Sequence, residues 1–357
     1  MITFLICSLN KKLNAQNSNN HSKTPNDNLI SFQMNNDGSA TFLFYAPNAK
    51  EVKLAGDISA KKTEKKENGV WVMTTDTNIS PSAYRYYFNV DGYKVNDPKN
   101  PMIADFRPMV DLVPKGKSLF WQKKEVPHGL MSIAYYDSNV TKTTRRMFIW
   151  TPPEYFFSKK RLPVLYLIHG GGDNDTNWPG QGKAGWILDN LYVEGKIAPM
   201  IVVMPDGGIP TNLFAKDLVK NIIPYIESNF KVYKNANHRA LAGLSMGGLE
   251  VLETMVTYPD KFSYVNVMSS GWWTSQQEEY KKYDQLIRAA APTLKSTLKY
   301  FIFTSGGSKD GATVNTSPTR NLFTKHGVHS DLSVMEGGHT MYVWRHDLKS
   351  FSQKIFK

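Results

Sequence analysis

RALAGLSMGG, residues 239–248, decides how the second part of the chain folds. Ala240 to Ala242 form a short apolar strand before a Gly-x-Ser-x-Gly motif, and Leu249 to Val256 have helical spacing. Two glycines would let strand and helix approach closely. This context predicts a sharp strand–turn–helix that holds the Ser245 hydroxyl at its tip as a nucleophile. The competing interpretation is that Ser245 only caps a helix.

A reactive serine needs a base, which is normally a histidine held by a carboxylate. His339 is the best candidate, because it lies in the glycine-rich loop 336–340 directly after an apolar strand. His346 is interpreted as a surface residue of a terminal helix. His326 and His329 resemble a metal pair, but no other ligands cluster with them, so a metal site is disfavoured.

The carboxylate should lie between the serine and the histidine in the chain. Asp310 satisfies this order and follows the apolar strand 300–304, so it is predicted to orient the histidine. Asp331 is the rival. It precedes its strand, however, and should therefore lie at the opposite edge of the sheet.

A developing oxyanion needs two preorganised N–H donors. Met246, which follows the nucleophile, is predicted to supply one. The glycine-rich segment 169–172, after an early strand, supplies the other, with Gly171 preferred and Gly172 as the alternative. His169 is interpreted as a packed structural residue. These parts occur in the chain order of an α/β-hydrolase.

Hydrophobic patterning divides the chain into two different parts. Apolar runs at 163–168 and 199–204 suit strands buried on both faces, and they alternate with helical segments, including one at 213–230 kinked by Pro224. This predicts a mostly parallel sheet with helices on both faces. Before it, short runs of period two, separated by turn signals, predict a small immunoglobulin-like β-sandwich. The predicted division is 1–28 signal remnant and leader, 29–120 β-sandwich, 121–130 linker and 131–357 α/β-hydrolase domain.

The composition excludes several classes of protein. The chain has 357 residues, a formal net charge of +12, 41% hydrophobic and 21% charged residues, which is typical of globular proteins. The positive charge is spread over both parts without a recognition motif, so no nucleic-acid partner is expected. No apolar run is long enough for a membrane span. Cys7, the single cysteine, lies in a short apolar stretch that suggests a truncated export signal and a periplasmic or secreted protein.

Several stretches also resemble carbohydrate esterase family 1, the feruloyl and acetylxylan esterases. The similar segments are VPHG (126–129), YLIHGGGDND (166–175), RALAGLSMGG (239–248) and EGGHTMYVWR (336–345). APNAKEVKLAGD (46–57) resembles a glycan-binding-type, early-set sandwich. The resemblance implies a metal-independent serine esterase without a cofactor. It carries the nucleophile, base and acid onto Ser245, His339 and Asp310.

The function expected from this resemblance is removal of feruloyl groups from xylan-type plant polysaccharide through an acyl-enzyme. Acetylxylan esterase is the alternative, followed by an acyltransferase of the same fold. A glycan-binding protein with a vestigial hydrolase domain would require a broken triad. Aromatic rings suit a phenolic acyl group or a sugar, and Trp272 and Trp273 are the predicted substrate contacts.

Overall fold

The computed structural model describes residues 23–77, 79, 82–100, 103–104, 107–112 and 119–357. The hypothesised export signal, including Cys7, lies outside these residues. Every helix in the described ranges is too short or too polar to cross a lipid bilayer.

The N-terminal part forms two antiparallel sheets that pack face to face. The strands are β1 (Phe32–Met34), β2 (Ala40–Tyr45), β3 (Val52–Gly56), β4 (Lys62–Lys65), β5 (Val70–Thr74), β6 (Ser82–Val90), β7 (Tyr93–Val95), β8 (Ile103–Ala104) and β9 (Arg107–Leu112). One sheet has the order β1-β2-β5-β4, and the other has β3-β6-β9-β8 with β7 paired to β6. Phe42, Tyr86 and Phe88 are buried between them. The predicted β-sandwich is therefore confirmed.

The C-terminal part is built on an eight-stranded sheet. Its strands are β10 (Leu130–Ser138), β11 (Thr143–Thr151), β12 (Val164–Ile168), β13 (Ile201–Pro205), β14 (Arg239–Leu244), β15 (Tyr264–Met268), β16 (Tyr300–Ser305) and β17 (Asp331–Val334). Their order is β10-β11-β13-β12-β14-β15-β16-β17. The strands from β13 to β17 along this order run parallel, whereas β10 and β11 pair antiparallel. The carboxyl ends of the parallel strands thus meet at one edge.

Helices cover both faces of this sheet. They are α1 (Asn177–Gly180), α2 (Ala184–Val193), α3 (Thr211–Asp217), α4 (Ile223–Asn229), α5 (Met246–Thr257), α6 (Gln277–Thr297), α7 (Thr313–Lys325) and α8 (Met341–Ser352). Side chains of β12 alternate between two cores: Tyr166 and Ile168 pack with α3, α5, α6 and α7, while Leu165 and Leu167 pack with α2 and α8. This confirms the α/β-hydrolase fold class.

The helix predicted over 213–230 is interrupted. A π-helical turn, Leu218–Ile222, separates α3 from α4. Pro224 lies in the first turn of α4. Proline has no N–H to donate, so the regular hydrogen-bond pattern cannot continue through it, and the wider turn directly before it absorbs the mismatch.

Trp121, the first residue of the segment predicted as a linker (121–130), is packed against the hydrolase part, whereas half of the residues in that segment are exposed. Trp121 is 1% exposed and lies edge-on to His346, with ring centroids 5.7 Å apart. Asn190 Nδ2 donates to the Phe120 carbonyl at 2.8 Å. His346, interpreted as a surface residue, is half-buried, and its ring packs among these aromatic side chains.

Candidate active site

Ser245 occupies a strained turn between β14 and α5. Its backbone angles are φ 52° and ψ −115°, a region that side chains rarely adopt. A methyl group at Gly243 would overlap the Gly247 carbonyl, and one at Gly247 would overlap the His169 carbonyl. Only glycine fits at these two positions. The turn therefore places the serine hydroxyl at the carboxyl edge of the sheet, as the sequence predicts.

Three residues from separate loops are joined by hydrogen bonds at this edge. His339 Nε2 lies 2.9 Å from Ser245 Oγ, and His339 Nδ1 lies 2.9 Å from Asp310 Oδ1. Asp310 follows β16 and His339 follows β17. The Asp310 side chain is fully buried, whereas that of His339 is 38% exposed. This arrangement brings together the nucleophile, base and acid that were predicted.

The Asp310 carboxylate is surrounded by donors. Ser269 Oγ donates to Oδ2 at 2.6 Å, the Gly306 amide donates to Oδ2 at 3.0 Å, and the Ala312 amide donates to Oδ1 at 3.1 Å. Burial by itself raises the pKa of Asp310, but the bonds from His339, Ser269 and these amides outweigh it and hold the pKa at about 2. Asp310 thus stays ionised and can stabilise a positive charge on His339.

Ser269 is a site residue that the sequence reasoning missed. It directly follows β15 with φ 46°, and its Oγ accepts a bond of 3.0 Å from Trp344 Nε1. The Trp344 ring in turn lies edge-on to the His339 ring, with ring centroids 4.8 Å apart and an interplanar angle of 89°. The available signal was positional: Ser269 ends the strand between those that carry Ser245 and Asp310.

The candidate oxyanion donors lie beside the serine. Met246 is the first residue of α5, where backbone amides lack intrahelical acceptors. A side chain at Gly171 would point toward the Met246 side chain, 3.7 Å away. The two residues are therefore neighbours across the turn.

His169 holds the glycine segment 170–172 in place through hydrogen bonds. The Gly207 amide donates to His169 Nε2 at 2.8 Å, Asp206 Oδ1 lies 3.2 Å from the same nitrogen, and Nδ1 lies 2.8 Å from the Gly170 carbonyl. The ring is 2% exposed. These contacts agree with the interpretation of His169 as a structural residue.

The two predicted substrate contacts differ in exposure. Trp272 is 2% exposed, and its ring stacks on Tyr283 with centroids 4.2 Å apart. Trp273 is 54% exposed in the same loop. The prediction for Trp272 is therefore corrected: its ring is a core side chain, and only Trp273 offers a surface to a ligand.

The rejected alternatives have ordinary structural roles. Asp331 begins β17, at the opposite edge from the serine. His326 Nε2 lies 2.8 Å from Asp284 Oδ1. Within the described ranges, no three His, Cys, Asp or Glu side chains cluster in a way that could hold a metal ion.

Two buried carboxyl groups lie near the site. Asp347 of α8 is 6% exposed, and burial raises its pKa to about 8, helped by the charge of Asp310 and opposed by a hydrogen bond with Thr304. Glu250 of α5 is 1% exposed, neither carboxyl oxygen has a hydrogen-bond partner among the described residues, and burial raises its pKa well above the usual range. Asp347 is therefore mostly protonated below about pH 8, and burial favours the neutral form of Glu250.

Two families of known proteins match this chain. The family described as "Putative esterase" matches residues 138–355. The chain belongs to this esterase family. A second match, to carbohydrate-binding module 48 (isoamylase N-terminal domain), covers residues 30–105. The resemblance drawn from the motifs, an esterase domain after a glycan-binding-type sandwich, is confirmed.

Individual relatives agree with this assignment. The chain is 31% identical to an endo-1,4-β-xylanase/feruloyl esterase of Xylanibacter ruminicola over 348 residues, which cover 91% of this chain and 46% of the relative. The chain thus spans less than half of that protein. A feruloyl esterase module from Clostridium thermocellum, complexed with sinapinate, has TM-score 0.57 and 20% identity and covers 68% of this chain and 92% of the module.

One solved structure matches across both parts of the chain. The enterobactin esterase of Shigella flexneri has TM-score 0.65 and 18% identity, with 90% of this chain and 95% of that chain covered. At this identity the likeness shows a common fold.

Proposed function

We propose that this protein is a serine carboxylic-ester hydrolase that removes feruloyl groups from xylan-type polysaccharide. The observation that carries the proposal is the continuous hydrogen-bonded chain from Ser245 through His339 to the buried Asp310. Nucleophile, base and orienting acid have the separations that nucleophilic acyl transfer requires.

The geometry supports a mechanism in two halves. Ser245 Oγ attacks the ester carbonyl while His339 Nε2 accepts its proton, and His339 then returns that proton to the departing sugar oxygen. Water repeats the sequence on the acyl-enzyme and releases the free acid. Asp310 accepts a hydrogen bond from Nδ1 throughout, and its low pKa keeps it available as a charge partner for the imidazolium.

The oxyanion of each tetrahedral intermediate needs donors at the serine. We assign this role to the backbone amide of Met246, which directly follows Ser245, and to that of Gly171, which lies beside Met246. No metal or cofactor enters this scheme.

A polysaccharide ester is the substrate class that the relatives favour. One relative's name includes both xylanase and feruloyl esterase, and the sandwich matches a carbohydrate-binding module. We assign residues 29–120 to glycan contact and residues 131–357 to the chemistry. Action on a cell-wall polymer would require export, which is part of the same proposal.

The test is to assay the purified protein on methyl ferulate and on acetylated xylan beside Ser245→Ala. We expect the wild type to release ferulate and the variant to lose activity by at least about a thousandfold, since removing a triad nucleophile typically costs more than that. Acetate release without ferulate release would identify the alternative, an acetylxylan esterase. Equal activity of wild type and variant would overturn the proposed nucleophile.

A further inference from the structure

An arginine of the β-sandwich reaches into the hydrolase part. Arg85 of β6 donates from Nη2 to Asp173 Oδ2 at 3.0 Å and from Nε to Gln181 Oε1 at 2.8 Å. The Arg85 side chain is 22% exposed and that of Asp173 is 9% exposed. Solvent therefore screens this ion pair less than it screens the fully exposed pairs elsewhere on the surface.

The backbone of Arg85 is fixed from two sides. Its amide donates to Asp57 Oδ2 at 2.9 Å, and its carbonyl accepts from the Asp57 amide at 2.8 Å. On the other side it pairs with Met109 of β9. The guanidinium is a planar fork that bonds Asp173 and Gln181 at the same time, and these two bonds hold the side chain in one orientation.

Asp173 closes the turn that contains the candidate oxyanion donor. Its amide donates to the Gly170 carbonyl at 3.3 Å, across Gly171 and Gly172. Gly170 faces Leu244 and the Ser245 side chain, while Gly171 faces Met246. A shift of Asp173 would therefore move the Gly171 amide relative to the Met246 amide, and oxyanion stabilisation depends on that distance.

A second arginine, on helix α8, bonds to Gln181, which also contacts Arg85. Arg345 of α8 is fully buried, donates to the Gln181 carbonyl, and pairs with Asp111 Oδ1 of β9 at 2.7 Å. Helix α8 begins two residues after His339. The sandwich thus contacts both the turn 170–173, which holds the candidate oxyanion donor, and helix α8, which follows His339.

We propose that Arg85 is a positioning residue for ester hydrolysis: through Asp173 it sets the turn that presents the Gly171 amide. The β-sandwich is then a structural part of the catalytic unit as well as a glycan-binding-type domain. This inference rests on the proposed esterase function. It assigns to Arg85 no contact with the substrate.

The experiment compares Arg85→Met, Arg85→Lys and Asp173→Asn with the wild type in the full chain. Methyl ferulate is the substrate, because a small ester separates loop positioning from polymer binding. We expect Arg85→Met and Asp173→Asn to lower kcat by roughly 10- to 100-fold with KM within about twofold, as for a misplaced donor. Arg85→Lys keeps the charge but not the fork, and should recover part of kcat. Inactivation by a p-nitrophenyl phosphonate, which forms a tetrahedral adduct at Ser245, should slow in parallel.

The controls separate positioning from stability. Lys196→Met breaks an exposed pair with Glu194 in the hydrolase part and should leave kcat unchanged. The double variant Arg85→Met with Asp173→Asn should lose less kcat than the two single losses combined, because both single variants break the Arg85–Asp173 link. If Arg85→Met does not fold, Arg85→Lys and Asp173→Asn carry the test.

The outcomes distinguish the inference from the function beneath it. A wild type that hydrolyses no ester would overturn the proposed function and the inference with it. An active wild type, with kcat of Arg85→Met and Asp173→Asn within about twofold and only their melting temperatures lowered, would overturn the inference alone.

Discussion

Ser269 donates a hydrogen bond of 2.6 Å to Oδ2 of Asp310, while His339 takes up the other carboxylate oxygen. Each oxygen of the buried acid thus has a side-chain partner from a different strand end. Ser269 is itself held by Trp344 Nε1, whose ring packs on His339. The acid and the base are therefore oriented by one connected set of contacts rather than by their mutual bond alone.

Removing the Ser269 hydroxyl should reduce catalysis without removing any triad member. Ser269→Ala deletes one donor to Asp310 and leaves Trp344 Nε1 without its acceptor. The loss lets the Asp310 pKa rise and the carboxylate rotate, so we expect kcat for methyl ferulate to fall roughly tenfold with KM nearly unchanged. Steady-state kinetics at several pH values provide the measurement.

Ser269→Gly is the matched control for this variant. Glycine also lacks the hydroxyl but tolerates φ 46° without the steric cost of a Cβ, which is about 1–2 kcal/mol. We expect Ser269→Gly to match Ser269→Ala in kcat and to exceed it in stability. A glycine variant with wild-type kcat would show that backbone strain, not the hydrogen bond, is what matters at this position.

Truncation of the two adjacent tryptophans should affect different properties: stability for Trp272 and substrate binding for Trp273. Trp272→Ala removes a core ring stacked on Tyr283 and should cost about 3–5 kcal/mol of unfolding free energy. Trp273→Ala changes an exposed ring and should alter stability by less than about 0.5 kcal/mol. If Trp273 contacts the acyl group or sugar, its truncation should raise KM several-fold. Denaturant titration and kinetics on the same preparations measure both quantities, and an unchanged KM would remove Trp273 from the binding surface.

Local sequence patterns carried much of the fold and the core of the candidate site. The glycines around Ser245 and the apolar strands before Asp310 and His339 are short-range signals, and the order of strands in the chain predicts which loops share an edge. The prediction that Trp272 contacts the substrate was wrong, whereas Trp273 stays a candidate. Adjacent residues in a loop can differ in burial, and composition alone does not distinguish them.

Long-range pairing was not predictable in this way. Arg85 and Asp173 belong to different parts of the chain, and neither residue stands out in its own local sequence. Trp121 lies in a polar, proline-containing stretch typical of a linker, yet it is buried against α8. Such contacts depend on how the sandwich and the hydrolase part pack against each other. The spacing of hydrophobic residues along the chain does not encode that packing.

The ion pair between Arg345 and Asp111 should show an asymmetric cost when it is broken. Arg345 is fully buried, whereas the Asp111 side chain is 15% exposed. Asp111→Asn leaves a buried guanidinium without its counter-charge and should destabilise the protein by about 3–5 kcal/mol. Arg345→Met removes the buried charge and should cost less. Urea unfolding measures both, with Glu51→Gln at the exposed Lys53 pair as a control expected to change stability by under about 1 kcal/mol. Equal costs for the two core variants would contradict this account.

Asp347 should make the protein less stable as the pH rises. Its pKa is raised to about 8 in the folded state by burial, while an unfolded aspartate has a pKa of about 3.9. Between these values the folded state binds a proton that the unfolded state has lost, so its contribution to the unfolding free energy falls by up to ~1.4 kcal/mol per pH unit and is lost above pH 8. An asparagine at this position would stay neutral at every pH, so the Asp347→Asn variant lacks this pH-dependent contribution to the unfolding free energy. The variant should therefore gain stability over the wild type between pH 5 and about 8, whereas the exposed-site control Asp331→Asn should follow the wild type. Denaturant unfolding at several pH values gives the difference directly, and a pH-independent difference would show that Asp347 is ionised in the folded protein.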